Sequence, residues 1–157
     1  GNIKIGITTQ KNFLIRLMNQ GAIKAIKIAI TPNRYLSGLI ENICKKKISD
    51  KTHYIKMLTN TFNKNLNLKK IKKNILKYIY KKNKKLKIYF KKKNKIYNFI
   101  YPIIKYPNKI KLFSLNKKNY KLKNKLIGIK GQYLIFKNKT VFNINKHLGY
   151  SINLKII

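Results

Sequence analysis

Acidic residues are nearly absent from this chain of 157 residues: Glu41 and Asp50 stand against 39 lysines and arginines. Carboxylate chemistry is therefore confined to those two positions. Cysteine is nearly absent as well. Cys44, standing alone, excludes a disulfide within the chain and a multi-cysteine zinc site, and fits a reducing, cytoplasmic setting. No apolar run approaches the roughly 18 residues that a membrane span needs, so no contact with a membrane is expected. The opening stretch GNIKIGITTQ lacks the apolar segment of a secretory signal. It also lacks an initiator methionine, as a piece of a longer protein would. Missing too are the phosphate-binding P-loop, the dinucleotide-binding glycine pattern and the serine-nucleophile motif.

What the chain has in excess is lysine. Its formal net charge is +37, and only Arg16 and Arg34 of its basic residues are arginine. Lys, Asn, Ile, Tyr and Phe, all abundant, have A/T-rich codons, whereas Ala, Arg, Gly and Pro are scarce. An A/T-rich genome thus accounts for much of the charge without selection for binding. The physical consequence stands regardless of origin: such a surface attracts polyanions, and nucleic acid, either DNA or RNA, is the expected partner. Each neutralised phosphate steepens the salt dependence by roughly 0.9 in the log–log slope. The charge is also uneven. Residues 61–157 hold 28 lysines and no acid, while both arginines, both acids and His53 fall in the first third.

Apolar periodicity divides the chain into two parts. Asn2 to Thr8 alternates and predicts a strand. Thr9 is placed to cap a helix over Lys11 to Gln20, and Gly21 to end it. Ala22 to Ile30 reads as a second strand. Asn33 is placed to cap a helix through Lys47 with Leu36, Leu39, Ile40 and Ile43 on one face. Ser49-Asp50 signals a cap before a short helix containing Ile55 and Leu58. A very basic amphipathic helix is predicted over Leu66 to Tyr80, with Leu68, Ile71, Ile75, Leu76 and Ile79 inward. From Leu86 the pattern turns to short β-like runs: LKIYF, KIYNFIY, IKLFSL, LIGIKG, QYLIFK, TVFNI and YSINLKI. Asn, Lys, Gly and X-Pro turns divide them. Gly131 reads as a tight turn needing positive φ, and Gly128 as a point of close strand approach. The expected fold class is α+β. A β-α-β-α unit over 1–84 precedes a small all-β, barrel- or sandwich-like unit over 85–157.

Candidate chemistry is sparse. Glu41 falls just off its helix's apolar stripe, where a carboxylate can hold one divalent metal, Mg²⁺ or Mn²⁺. Its plainer role is a surface pair with Lys45 at i+4. Arg16 carries the planar fork suited to phosphate, in a chain where lysine is the default cation. Arg34 sits in a first helical turn, where the dipole disfavours a cation, so a phosphate or Glu41 is its natural partner. Asp50, Thr52 and His53 read most simply as capping residues. Cys44 reads as structural, and His147 lacks a second ligand that would make it a metal site. Lys4, Lys69, Lys70, Lys72 and Lys73 join Arg16 and Arg34 as candidate backbone contacts. Tyr89, Phe90, Tyr97, Tyr101 and Tyr133 offer stacking faces for single-stranded nucleic acid, with packing in the core as the plain alternative.

Two blocks of sequence resemble a known family. The first is KIGIT from Lys4 to Thr8, Arg16, NQGAIKA from Asn19, RYLSGLIE ending at Glu41, and DKTHYIKML from Asp50. The second begins at LIGIKGQYLIF and runs as GIKGQYLIFKNKTVFNINKHLGY from Gly128 to Tyr150. Together they resemble a bacterial domain-of-unknown-function family, number 2797, over nearly the whole chain. The first block is also similar to the GIY-YIG nuclease superfamily. By that resemblance Lys4-Ile5-Gly6 match its second motif, with Lys4 where the motif has tyrosine. Arg16 matches the following arginine, and Glu41 the single metal-binding glutamate. The resemblance implies a partial GIY-YIG-like α/β domain, lacking its first strand. It also implies a metal-dependent endonuclease with Arg16 and Glu41 as catalytic residues and Glu41 as metal ligand. A nucleic-acid-binding module and a protein–protein or ribosome-associated module are the other readings.

Overall fold

The computed structural model describes residues 3–49, 51, 53–61, 66–116, 121–153 and 155. Asp50 and Thr52, the carboxylate and threonine of the capping signal, lie outside them. The fold is α+β, with one two-stranded sheet and one four-stranded sheet among the described residues.

The segment 3–9 has no regular secondary structure, against the strand expected there. Its alternation is real, since Ile5 and Ile7 are half-buried while Lys4 and Gly6 are exposed. The Ile5 N–H donates to the Ser49 carbonyl at 3.1 Å rather than to a sheet ladder. Helix α1 spans Phe13–Asn19. It ends where Gly21, at φ +69°, takes the left-handed conformation. There the Gly21 N–H reaches the Met18 carbonyl and the Ala22 N–H the Leu17 carbonyl, the paired bonds of a Schellman motif. The expected cap at Thr9 is displaced: Asn12 occupies the N-cap position, and the Thr9 hydroxyl accepts from the Asn12 N–H at 3.3 Å.

Strand β1, Lys24–Ile26, is shorter than predicted and pairs antiparallel with β2, Ile96–Asn98. Helix α2 spans Arg34–Lys45, with Asn33 Oδ1 accepting from the Leu36 N–H at 3.0 Å. Helix α3 is Tyr54–Thr59. Helix α4 spans Leu68–Lys82, capped by Asn67 Oδ1 on the Lys70 N–H. Residues Lys84–Tyr89 form a 3-10 helix instead of the LKIYF strand. Asn83 Oδ1 accepts from the Lys85 N–H and nucleates that turn, and Leu86 is buried among helices. Local capping and helical packing here outweigh β propensity.

One core gathers Ile40 and Cys44 of α2, Ile75 and Ile79 of α4, and Leu86. A second gathers Met57 and Leu58 of α3 with Tyr133, Ile135 and Val141. Burying each such aliphatic side chain stabilises by about 1.5–3 kcal/mol. The second core lies on the four-stranded sheet built from β3 (Lys111–Phe113), β4 (Leu126–Lys130), β5 (Tyr133–Phe136) and β6 (Thr140–Asn143), in the order β3-β6-β5-β4. The β3–β6 pair is parallel and the others antiparallel. This sheet is open, so the barrel expectation is not met among the described residues, and YSINLKI contributes no strand there.

The β4–β5 hairpin runs from the second core to the end of α1. Gly131, at φ +58°, makes its turn, and an added Cβ would lie 2.5 Å from the Asn19 carbonyl oxygen at the end of α1. Gly128 lies against Ile103, its would-be Cβ 2.9 Å from that side chain. Lys130 is fully buried at the hairpin tip. Its Nζ donates to the Met57 carbonyl at 2.9 Å and to the Tyr106 hydroxyl at 3.4 Å, and lies over the Tyr101 and Tyr106 rings. The Tyr101 hydroxyl donates to the Ala22 carbonyl at 2.8 Å.

Candidate nucleic-acid interface

The predicted phosphate-binding residues fall around two concavities, and Lys72 lines both. The larger is a cavity of about 1080 Å³ bounded by segment 3–10, α1, β1, α2 and parts of α3 and α4. Lys4, Arg16, Arg34 and Glu41 all line it, together with His53. Ile3, Ile5, Ile7, Ile23, Ile26, Ile28 and Ile30 give it an aliphatic stretch, and further polar side chains, Lys24, Lys27, Lys51 and Lys72 among them, also line it.

Glu41 is the one carboxylate among the described residues, and it is half-buried. Its Oε2 lies 3.5 Å from Lys45 Nζ, the i,i+4 pair expected on a helix face. Such a pair contributes about 0.3–0.5 kcal/mol. Arg16 is exposed in the last turn of α1, where the helix dipole favours a cation. Arg34 is exposed at the first position of α2. Among the described residues no three of His, Cys, Asp and Glu cluster as a metal site. A divalent ion at Glu41 would thus complete its shell mainly with water and substrate phosphates, the manner in which Mg²⁺ is usually held.

The other candidates divide cleanly. Cys44 is buried, and burial first, the Glu41 carboxylate second, push its thiol up to about 11. A thiol held protonated is no nucleophile. His53 is exposed at the N-cap position of α3 and makes no side-chain cap bond. His147 is buried and structural: its Nε2 accepts the Leu115 N–H at 3.0 Å, so its Nδ1 carries the proton given to the Asn143 carbonyl. Tyr133 is buried and stacked on Tyr54, Tyr97 meets Phe13 edge-on, and Tyr89 packs against the first core.

The second concavity, about 580 Å³, lies between the first two turns of α4 and residues 87–94. Lys69, Lys70, Lys72 and Lys73 line it from α4, as do Lys87, Lys91 and Lys92 from the facing segment. None of its lining residues is acidic, and Phe90 lies among them. The facing lysines escape the sequence reading because 86–90 reads as a strand with solvated flanks. The burial of Lys72 does have a signal: it falls on the stripe Leu68, Lys72, Ile75, Ile79, the spacing of an inward helix face.

Among the described residues no helix is long and apolar enough to cross a membrane. No curated protein and no solved structure matches the chain. A family model does, over residues 1–152, covering both sequence blocks and both concavities. The chain belongs to the family described as protein of unknown function, DUF2797.

Proposed function

We propose that this protein binds nucleic acid. The observation that carries the reading is that Lys4, Arg16 and Arg34, from three separate segments, line one cavity with Glu41. A guanidinium fork grips phosphate oxygens in two places, which a lysine does not. The surrounding excess of 28 lysines with no acid over residues 61–157 draws a polyanion toward the molecule.

A second reading, favoured by the same placement of Arg16 and Glu41 and by the GIY-YIG resemblance, is a metal-dependent phosphodiesterase. In it Glu41 would hold Mg²⁺ or Mn²⁺, and the bound ion would supply Lewis acidity toward water and the phosphodiester. Arg16 orients the scissile phosphate through its non-bridging oxygens, and Lys4 and Arg34 seat the flanking backbone.

Titrating the intact protein with labelled oligonucleotides between about 50 and 200 mM salt tests the first reading, and binding should weaken steeply with salt. Glu41→Ala should bind at least as well as the parent. Equal affinity for heparin and for nucleic acid would reduce the interaction to bulk charge. The second reading expects metal-dependent nicking that Glu41→Ala abolishes; cleavage undiminished by that substitution ends it. Ribosome co-purification that survives nuclease treatment would favour an interaction module over both.

A further inference from the structure

We propose that the groove between α4 and residues 87–94 is a preformed track for single-stranded nucleic acid, with Phe90 as its base-stacking residue. The proposal rests on the nucleic-acid reading above and assigns it a place and a strand class. Three exposed lysines, Lys69, Lys70 and Lys73, stand on the α4 side. Three more, Lys87, Lys91 and Lys92, stand on the other. Two facing rows of cations suit one phosphodiester backbone laid between them. Phe90 packs against the first core and also lines the groove, so its ring is fixed while part of it stays accessible. Of the five aromatic residues the sequence offers for stacking, it alone lines this groove.

Both walls are held in place before any ligand arrives. The facing segment is tied by the Lys91 N–H to the Ile28 carbonyl at 2.9 Å and by the Ile30 N–H to the Tyr89 carbonyl at 2.9 Å. Lys72, 3% exposed, crosses the groove: its Nζ donates to the Lys93 carbonyl at 2.9 Å and joins the two walls. That ammonium is desolvated, and burial lowers its pKa, so an anion laid along the groove relieves an existing cost. A preorganised site loses less entropy on binding. The strand class follows from Phe90: a ring fixed in the groove can stack on an unpaired base, whether of a ribo- or a deoxyribonucleotide strand, but not on bases already stacked and paired within a duplex.

The test uses the full chain with oligo(U), oligo(dT) and a duplex of equal length. Single strands should bind more tightly than the duplex. Phe90→Leu, which retains an aliphatic core contact, should weaken single-strand binding about 10-fold and leave the salt slope unchanged. Lys87→Gln/Lys91→Gln/Lys92→Gln should lower that slope by about 2, at roughly 0.7 for each phosphate no longer neutralised. The charge-matched control Lys121→Gln/Lys123→Gln/Lys125→Gln should change it far less. Thermal melts establish that each variant is folded. A preference for oligo(U) or for oligo(dT) identifies the natural strand, and either supports the proposal. If both groove variants bind as the parent does while Arg16→Gln loses binding, the groove assignment is wrong and the nucleic-acid reading survives. If the parent binds no nucleic acid, both fall.

Discussion

Replacing Gly131 with alanine should destabilise the protein by about 2–5 kcal/mol, the sum of a left-handed backbone penalty and an overpacking cost. Gly131 sits at φ +58°, and its would-be Cβ meets the Asn19 carbonyl oxygen at 2.5 Å and the Gly21 nitrogen at 2.9 Å. Those neighbours are backbone atoms at a helix end, already fixed by the Schellman bonds of Gly21 and Ala22. They cannot step aside as a side-chain tip would. The comparison is Gly149→Ala: its φ is +89°, yet nothing lies within 4 Å of the added methyl. There only the backbone penalty applies, about 1–2 kcal/mol. Denaturant titration of both variants separates the terms. Equal destabilisation would show that the hairpin tip does not bear on α1.

Lys130→Met should flatten a rise in stability that the parent shows between about pH 8 and pH 10. Burial lowers the Lys130 pKa from its ordinary 10.5 to about 8 in the folded state. Below pH 8 the side chain is charged in both states, and the cost of burying the ammonium is fully present. Between 8 and 10.5 the unfolded chain binds more proton than the folded one, so stability rises with pH. The gain is at most about 3 kcal/mol at about 1.4 kcal/mol per unit. Tyr101 sets the upper limit of the window. Burial, with Tyr106 beside it, pushes its phenol up to about 12, so above pH 10 its ionisation in the unfolded chain lowers stability. The methionine variant leaves the Met57 carbonyl without its Lys130 donor and is expected to be less stable at neutral pH. The diagnostic is slope, not level. Parent and variant rising in parallel from pH 8 to pH 10 would assign the trend to the other lysines.

Much of the helical part is legible in the sequence because its signals are local. Asn33 caps α2 and Gly21 closes α1, each by side-chain or backbone chemistry within a few residues, whereas the Asn67 cap of α4 falls inside the helix as read from Leu66. Gly131 and Gly128 likewise mark a turn and a close approach that the hairpin requires. What local signals do not encode is pairing across the chain. Strand β1 finds β2 some seventy residues later, and β3 lies parallel to β6. Lysine is the second source of error. In a chain where lysine is the default polar residue, Lys72 and Lys130 look like solvated positions, yet both are buried with carbonyl partners. Their spacing marked them. Lys72 falls on the α4 stripe, and Lys130 alternates with buried Gly128 along β4.

At the candidate site, sequence brings Arg16 and Glu41 forward because each is chemically rare in this chain, and both line the larger cavity. The groove opposite α4 is not legible. Its second wall depends on Lys84–Tyr89 coiling as a 3-10 helix, which turns Lys87, Phe90, Lys91 and Lys92 toward α4.

Photo-cross-linking a thiouridine-bearing single strand to the intact protein, followed by peptide mapping, tests the central claim most directly. The cross-links should concentrate on Phe90 and on the α4 peptide over residues 68–76, and should fade together as salt is raised. Cross-links spread evenly over the lysine-rich peptides of residues 105–155, with none at Phe90, would contradict it.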